Sequence, residues 1–223
     1  MPSKKQLNIL LACIAPMALL SSGCATATGS AGYRNNRLTY HVDFEHRPGS
    51  VVCMGDSLTT GFMSVGAPYP QRLAGITGRK VHEYGVNGAR SGHGLTQLQS
   101  IIALRPAYVC ILYGTNDCIT HTDFDLRRSK ENLRHIVRTL RANGITPVIA
   151  TIPVVNKHRG MFNGNVAQLS QAIREIAREE KIGFVDLHRA FGDGSKHLNP
   201  ADGLHFSNSG GNLVAKLFAE LIQ

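Results

Sequence analysis

Five short apolar runs punctuate the chain: Val51–Met54, Lys80–Tyr84, Tyr108–Leu112, Thr146–Thr151 and Gly183–Leu187. Their apolar residues are largely continuous rather than alternating, the pattern of strands covered on both faces. Between them the apolar positions switch to helical spacing. Tyr69–Ile76 is a short helical pattern, and Leu95, Leu98, Ile101 and Ile102 give a second. Leu126, Leu133, Ile136, Val137 and Leu140 give a third, ended by the stop signal Asn143-Gly144. Val166, Leu169, Ile173 and Ile176 form a clear amphipathic stripe, and Val214, Leu217, Phe218 and Leu221 close the chain. Strands alternating with helices imply right-handed crossovers and a parallel sheet with helices on both sides. The expected fold is α/β: a three-layer α/β/α, flavodoxin-like sandwich around a five-stranded parallel sheet.

The 223 residues suit one domain plus a leader. Lys4 and Lys5 precede an apolar stretch from Leu7 to Leu20, broken by Pro16, and small residues follow. This is the order of a secretory signal, and the stretch is short for a membrane span. Leu20-Ser21-Ser22-Gly23-Cys24 resembles a bacterial lipobox, with Ser21 where leucine is usual. On that reading Cys24 is lipidated and anchors the protein to the membrane. Cleavage after Ala25-Thr26-Ala27 is the other reading, and both export the chain. The expected division is a leader over 1–24, a flexible polar tether over 25–48 and a folded domain over 49–223.

Charge and composition exclude more than they specify. Loss of Lys4 and Lys5 with the leader takes the formal charge from +9 to +7. Arg127, Arg134, Arg138 and Arg141 repeat along one helical pattern, as a solvated face or as an attractant for anionic surfaces. No aromatic residues interleave with them, which argues against nucleic-acid partners. Of five cysteines, Cys13 and Cys24 fall in the leader. Cys53 and Cys110 lie inside apolar runs and read as small buried hydrophobes. Cys118 is left open to disulfide pairing, and the odd count leaves at least one free thiol. Neither HExxH nor paired CxxC occurs and the glycines lack dinucleotide spacing, so no metal or cofactor is expected.

Chemistry gathers where the strands end. Gly55-Asp56-Ser57-Leu58 follows the first run, Gly85 to Gly92 the second and Gly114-Thr115-Asn116-Asp117 the third. Asp202-Gly203-Leu204-His205 lies between the last strand and the last helix. In open α/β sheets such segments converge on one edge, where ligands bind. A serine there needs a base to take its proton, and His205 can serve. Asp202, three residues earlier, can orient that ring and stabilise its cation. An oxyanion needs donors, for which the Asn116 amide and the backbone N–H groups of Gly92 and Ser57 are candidates. Asp56 and Asp117 read as carboxylates that fix loops. His93, His121 and His197 are rival bases. A plain turn at 55–58, an Asx turn at Asn116 and a cap at Asp202 are the structural alternatives.

Taken together, these blocks resemble those of the GDSL, or SGNH, hydrolase family. Gly55-Asp56-Ser57-Leu58 resembles its first block, Gly92 after Asn87 the second-block glycine, Gly114-x-Asn116-Asp117 the third and Asp202-x-x-His205 the fifth. The order matches, from about Val51 to Gln223. The resemblance implies Ser57 as nucleophile, His205 as base, Asp202 as its orienter, and Gly92 and Asn116 as oxyanion donors, with Gly88 competing for the role of Gly92. It implies an exported serine esterase acting on short acyl or acetyl esters, including esters of glycans or lipids. Acyl transfer, or carbohydrate or lipid binding without turnover, is the alternative on the same fold. Phe62, Met63, Met161 and Phe162 follow strand ends and are the expected substrate walls.

Overall fold

The computed structural model describes residues 38–40, 49–120 and 122–222. The leader, Cys24, His121 and all of the expected tether except 38–40 lie outside the described residues. The strands are β1 (Thr39–Tyr40), β2 (Val51–Gly55), β3 (Val81–Gly85), β4 (Tyr108–Leu112), β5 (Thr146–Ala150) and β6 (Gly183–Val185). The helices are α1 (Ser57–Thr60), α2 (Tyr69–Thr77), α3 (Ser91–Ala103), α4 (Thr115–Cys118), α5 (Leu126–Ala142), α6 (Asn163–Glu179), α7 (Leu187–Ala190) and α8 (Asn208–Ile222). A 3₁₀ turn occupies Lys157–Phe162.

The sheet runs β1-β6-β5-β4-β2-β3. β2 to β6 are mutually parallel, as expected from the sequence. β1 adds an antiparallel edge, pairing Thr39 with Val185 and Tyr40 with Phe184. The tether reading is corrected here: residues 39–40 belong to the sheet. A strand of two residues leaves no periodicity to find.

Both faces of the sheet are covered. Val52 and Met54 of β2 and Val109 and Ile111 of β4 pack with Leu133, Ile136, Leu169 and Ile173 from α5 and α6. Their neighbours Val51, Cys53, Tyr108 and Cys110 pack on the other side with Tyr69, Leu73, Val214 and Phe218 from α2 and α8. Every residue of β2 and β4 is therefore buried, which explains continuous apolar runs. α5 starts on Asp125, whose side chain accepts the Arg128 N–H, and ends at Asn143-Gly144 as expected. Four of its five arginines are paired: Arg127 with Glu131, Arg134 with Glu179, and Arg138 and Arg141 with Glu180. The basic face is largely a helix–helix ion-pair seam. Cys53, Cys110 and Cys118 are all buried free thiols, so Cys118 forms no disulfide.

The ends of β5 and β6 are tied by one charged cluster. Arg174 of α6 grips Asp186 through two N–H bonds of 2.9 and 2.8 Å. The Thr151 hydroxyl donates to the same carboxylate at 3.0 Å. Burial would raise the Asp186 pKa, but the Arg174 fork and its charge outweigh it and hold the carboxyl below the usual range. Arg174→Ala strands that carboxylate and is expected to cost about 3 kcal/mol at neutral pH, measured by urea denaturation. A depressed folded pKa stabilises above the ordinary carboxylate value and is lost as pH falls through the folded one. The gap between wild type and variant should therefore narrow below about pH 4. A gap that stays constant in acid would contradict this role.

Candidate active site

β2 ends at Gly55, where a side chain cannot fit. A Cβ there would stand 2.2 Å from Thr59 Oγ1 and 2.4 Å from the Leu112 carbonyl oxygen. The backbone then turns through Asp56, whose carboxylate accepts the Leu58 N–H at 2.9 Å. This caps α1 and sets Ser57 at its first position. The loop after β3 is fastened to the same turn. Val86 N–H donates to the Gly55 carbonyl at 3.0 Å, and the Thr60 hydroxyl donates to Asn87 Oδ1 at 2.7 Å.

His205 arrives from the opposite end of the chain. Its Nε2 lies 3.0 Å from Ser57 Oγ, and its Nδ1 lies 2.5 Å from Asp202 Oδ2. The other Asp202 oxygen accepts the N–H groups of Leu204 and His205 at 2.9 and 3.1 Å. Burial opposes the Asp202 charge, but these bonds and the His205 ring outweigh it, so its pKa is lowered. A carboxylate on Nδ1 favours the tautomer with its proton there, leaving Nε2 to accept from the serine hydroxyl. Ser57 and His205 are 9% and 6% exposed, so little water competes for that bond.

No strand carries the Asp202–His205 loop, so hydrogen bonds hold it. Asn199 N–H donates to the His205 carbonyl at 2.6 Å and Asn156 N–H to the Gly203 carbonyl at 2.7 Å. Gly203 has φ +67, and a Cβ there would lie 3.0 Å from the Asn156 backbone. Lys157 Nζ and an Arg159 guanidinium N–H reach the carbonyls of Ala201 and Asp202 at 3.0 and 3.2 Å. Asn156, Lys157 and Arg159 lie in the 152–162 segment that the sequence offers only as a substrate wall, and Asn199 is not among the expected site residues. Of these only Asn199 carried a signal, as the start of the turn Asn199-Pro200-Ala201-Asp202.

Asn116 sits in α4, at the end of the neighbouring strand. Its Nδ2 donates to the Ala89 carbonyl at 3.0 Å and approaches Asp56 Oδ2 at 3.3 Å. Asp117 fixes the second loop, as expected of it. It accepts the Ser91 N–H at 2.8 Å and the hydroxyls of Ser91 and Ser129 at 2.6 and 2.9 Å. The two competing glycines differ in position. Gly92 is the second residue of α3 and lines a polar cavity of about 190 Å³ with Arg90, Asp117, Asp123 and Asn132. Ser57, Asn116 and His205 are not in that wall. Gly88 turns at φ +74, immediately before the Ala89 carbonyl that holds Asn116.

Of the expected substrate walls, Phe62 meets the catalytic histidine candidate directly. Its ring stands edge-on to His205, with centroids 5.4 Å apart. Met63 adopts φ +51, and its carbonyl accepts from Asn199 Nδ2 at 2.7 Å. Met161, 70% exposed, and Phe162 lie on the 3₁₀ turn whose polar members Lys157 and Arg159 touch the Asp202 loop. His197 bonds the Ser209 hydroxyl at 3.1 Å and packs on Phe191, so it is committed elsewhere. Among the described residues, no three His, Cys, Asp or Glu side chains gather to hold a metal ion, and no helix is long and apolar enough to cross a membrane.

Known proteins are similar to this chain in both sequence and fold. A yeast protein, the isoamyl acetate-hydrolyzing esterase of Saccharomyces cerevisiae, is 34% identical over 45% of this chain and 50% of its own length. The match thus spans half of that relative. An uncharacterized lipoprotein of Bacillus subtilis, YqeF, is 26% identical over 69% of this chain and 73% of its own. The lipase/acylhydrolase of Enterococcus faecalis has the same fold, with TM-score 0.67 and 22% identity over 78% of this chain and 94% of its own. A catalytic mutant of the acetylxylan esterase Axe2 of Geobacillus stearothermophilus also has it, with TM-score 0.67 and 21% identity over 78% and 94%. Residues 53–212, a span containing Ser57, Asn116, Asp202 and His205, match the model of one family. The chain belongs to the GDSL-like lipase/acylhydrolase family.

Proposed function

We propose that this protein is an exported serine esterase that hydrolyses short acyl esters through a covalent acyl-enzyme on Ser57. The observation that carries this reading is the continuous relay Ser57 Oγ–His205 Nε2–His205 Nδ1–Asp202 Oδ2, with links of 3.0 and 2.5 Å. Ser57 Oγ attacks the ester carbonyl as its proton passes to His205 Nε2. The Asp202 carboxylate, kept ionised by its hydrogen bonds, stabilises the imidazolium. The tetrahedral oxyanion is met by the Ser57 N–H, the Asn116 amide and one backbone N–H of the second loop. For that third donor Gly88 suits better than Gly92, because it adjoins the Ala89 carbonyl on which Asn116 rests. Collapse breaks the ester C–O bond, and His205 returns the proton to the leaving alcohol. Water, deprotonated by His205, then attacks the acyl-enzyme and releases the acid and free Ser57.

The substrate is an ester with a small acyl group, acetyl foremost. The half-exposed Phe62 beside His205 and the strained Met63 next to it offer a low apolar wall suited to a short chain. The names of the yeast relative and of the Geobacillus structure both refer to acetate esters. The alcohol part is a glycan or lipid of the envelope or surroundings. Anchoring through Cys24 accords with the leader and with the lipoprotein relative.

On nitrophenyl esters, turnover should fall as the acyl chain lengthens from acetate. Ser57→Ala should reduce kcat by about 10⁴-fold or more. An alanine variant that retains wild-type turnover would overturn the reading. In cells, the wild type should partition with membranes and Cys24→Ser should not. A wild type already soluble after fractionation would refute lipidation.

A further inference from the structure

The proposed mechanism leaves unused a buried acid one residue from its nucleophile. Asp56 is 1% exposed. One oxygen accepts the Leu58 N–H at 2.9 Å, at the turn that carries Ser57. The other takes the Asn116 amide at 3.3 Å, at the end of the neighbouring strand. It is thus the single side chain among the described contacts that bridges the Ser57 turn and the Asn116 amide. We propose that Asp56 is a positioning residue that holds the Asn116 amide in register with Ser57 for the developing oxyanion, an inference that rests on the esterase reading.

Capping alone does not explain an acid here. A serine, threonine or asparagine caps a helix about as well as aspartate and carries no charge to desolvate. Burial pushes the Asp56 carboxyl up to about 7, the Leu58 N–H opposing this and the Asp117 carboxylate adding to it. What aspartate alone supplies, in the ionised form that N–H donors favour, is two acceptor oxygens, one for each partner. An asparagine has one oxygen, so it can serve Leu58 or Asn116 but not both.

The amide itself has two N–H groups, directed at the Ala89 carbonyl and at Asp56. The Ala89 bond, at 3.0 Å, fixes its place against the second loop, and the longer 3.3 Å contact is the one an oxyanion can draw away. The Ala89 and Asp56 contacts together hold the resting amide from two sides, and its turn to substrate gives up only the longer of them. Asp117, its acidic neighbour, is fully engaged by Ser91 and Ser129 and cannot take over the task.

The test is a double-mutant cycle of Asp56→Asn and Asn116→Ala, with Ser57→Ala as control, read as kcat and KM on nitrophenyl acetate. Asp56→Asn alone should lower kcat by about 10- to 100-fold, the cost of a misplaced catalytic group, with KM changed little. In the Asn116→Ala background the same change should cost less than about threefold, since the group it positions is gone. Equal losses in both backgrounds would assign Asp56 a structural role and overturn the proposal, as would full activity of Asp56→Asn alone. Asp56→Ala, followed by thermal denaturation, separates the cap: its added loss of stability should exceed that of Asp56→Asn. An absence of Ser57-dependent turnover in the wild type would overturn the esterase reading and this inference together. Ser57-dependent turnover with an additive cycle would overturn this inference alone.

Discussion

Everything at the site is measured from the pairing of β2 with its two neighbours. Gly55 lies opposite Leu112 of β4 on one side and Gly85 of β3 on the other, in parallel register. The chain leaves all three strands at the same level. Within a few residues it reaches Ser57 from β2, Asn116 from β4 and Gly88 from β3. β2 is also where strand order reverses, since the chain builds β3 on one side and β4, β5 and β6 on the other. Such a reversal opens a crevice at the carboxyl ends of the strands. A slip of one residue in this register would exchange the side chains of the two cores, which pack against different helices, so burial of both faces locks the site geometry as firmly as the fold.

The proposed base is held by different physics. His205 and Asp202 come from a loop without regular structure, and its position rests on hydrogen bonds to chain far away in sequence. The segment after β5 supplies Asn156, Lys157 and Arg159, and Asn199 ties the loop to the Met63 carbonyl. Each neutral bond contributes about 1 kcal/mol, and Lys157 and Arg159 add two charge-assisted ones weakened by water, so together they can order a loop that packing alone would not. The Asn199 bond also ties the Met63 carbonyl to that loop, beside the contact of the Phe62 ring with His205.

The strands and long helices were legible because burial on two faces writes itself directly into apolar runs and stripes. Their bounds moved by a residue or two where glycine continued a strand, as at Gly55 and Gly85. Ser57, Asn116, Asp202 and His205 were legible as blocks, and the contact of His205 with Asp202 follows from their spacing of three residues, whereas the approach of His205 to Ser57 depends on loop contacts that no spacing foretells. β1 was hidden because two residues carry no period. Gly88 and Gly92 are not separable in the sequence, because their places depend on where α3 begins, and helix starts are among the least readable features of a sequence. Asn156, Lys157 and Arg159 act through backbone carbonyls, contacts set by tertiary approach with no spacing rule. Asp56 could be seen as a loop-fixing carboxylate, but its second partner, Asn116, lies on another strand end.

The central claim is that Ser57 is an activated nucleophile. Its most direct test is reaction of the folded protein with a fluorophosphonate ester, followed by intact-mass measurement and peptide mapping. The account predicts a single covalent adduct, carried by Ser57 and lost when the protein is denatured before the probe is added. An adduct on another residue, or an unmodified Ser57 in a protein that turns over esters, would contradict it.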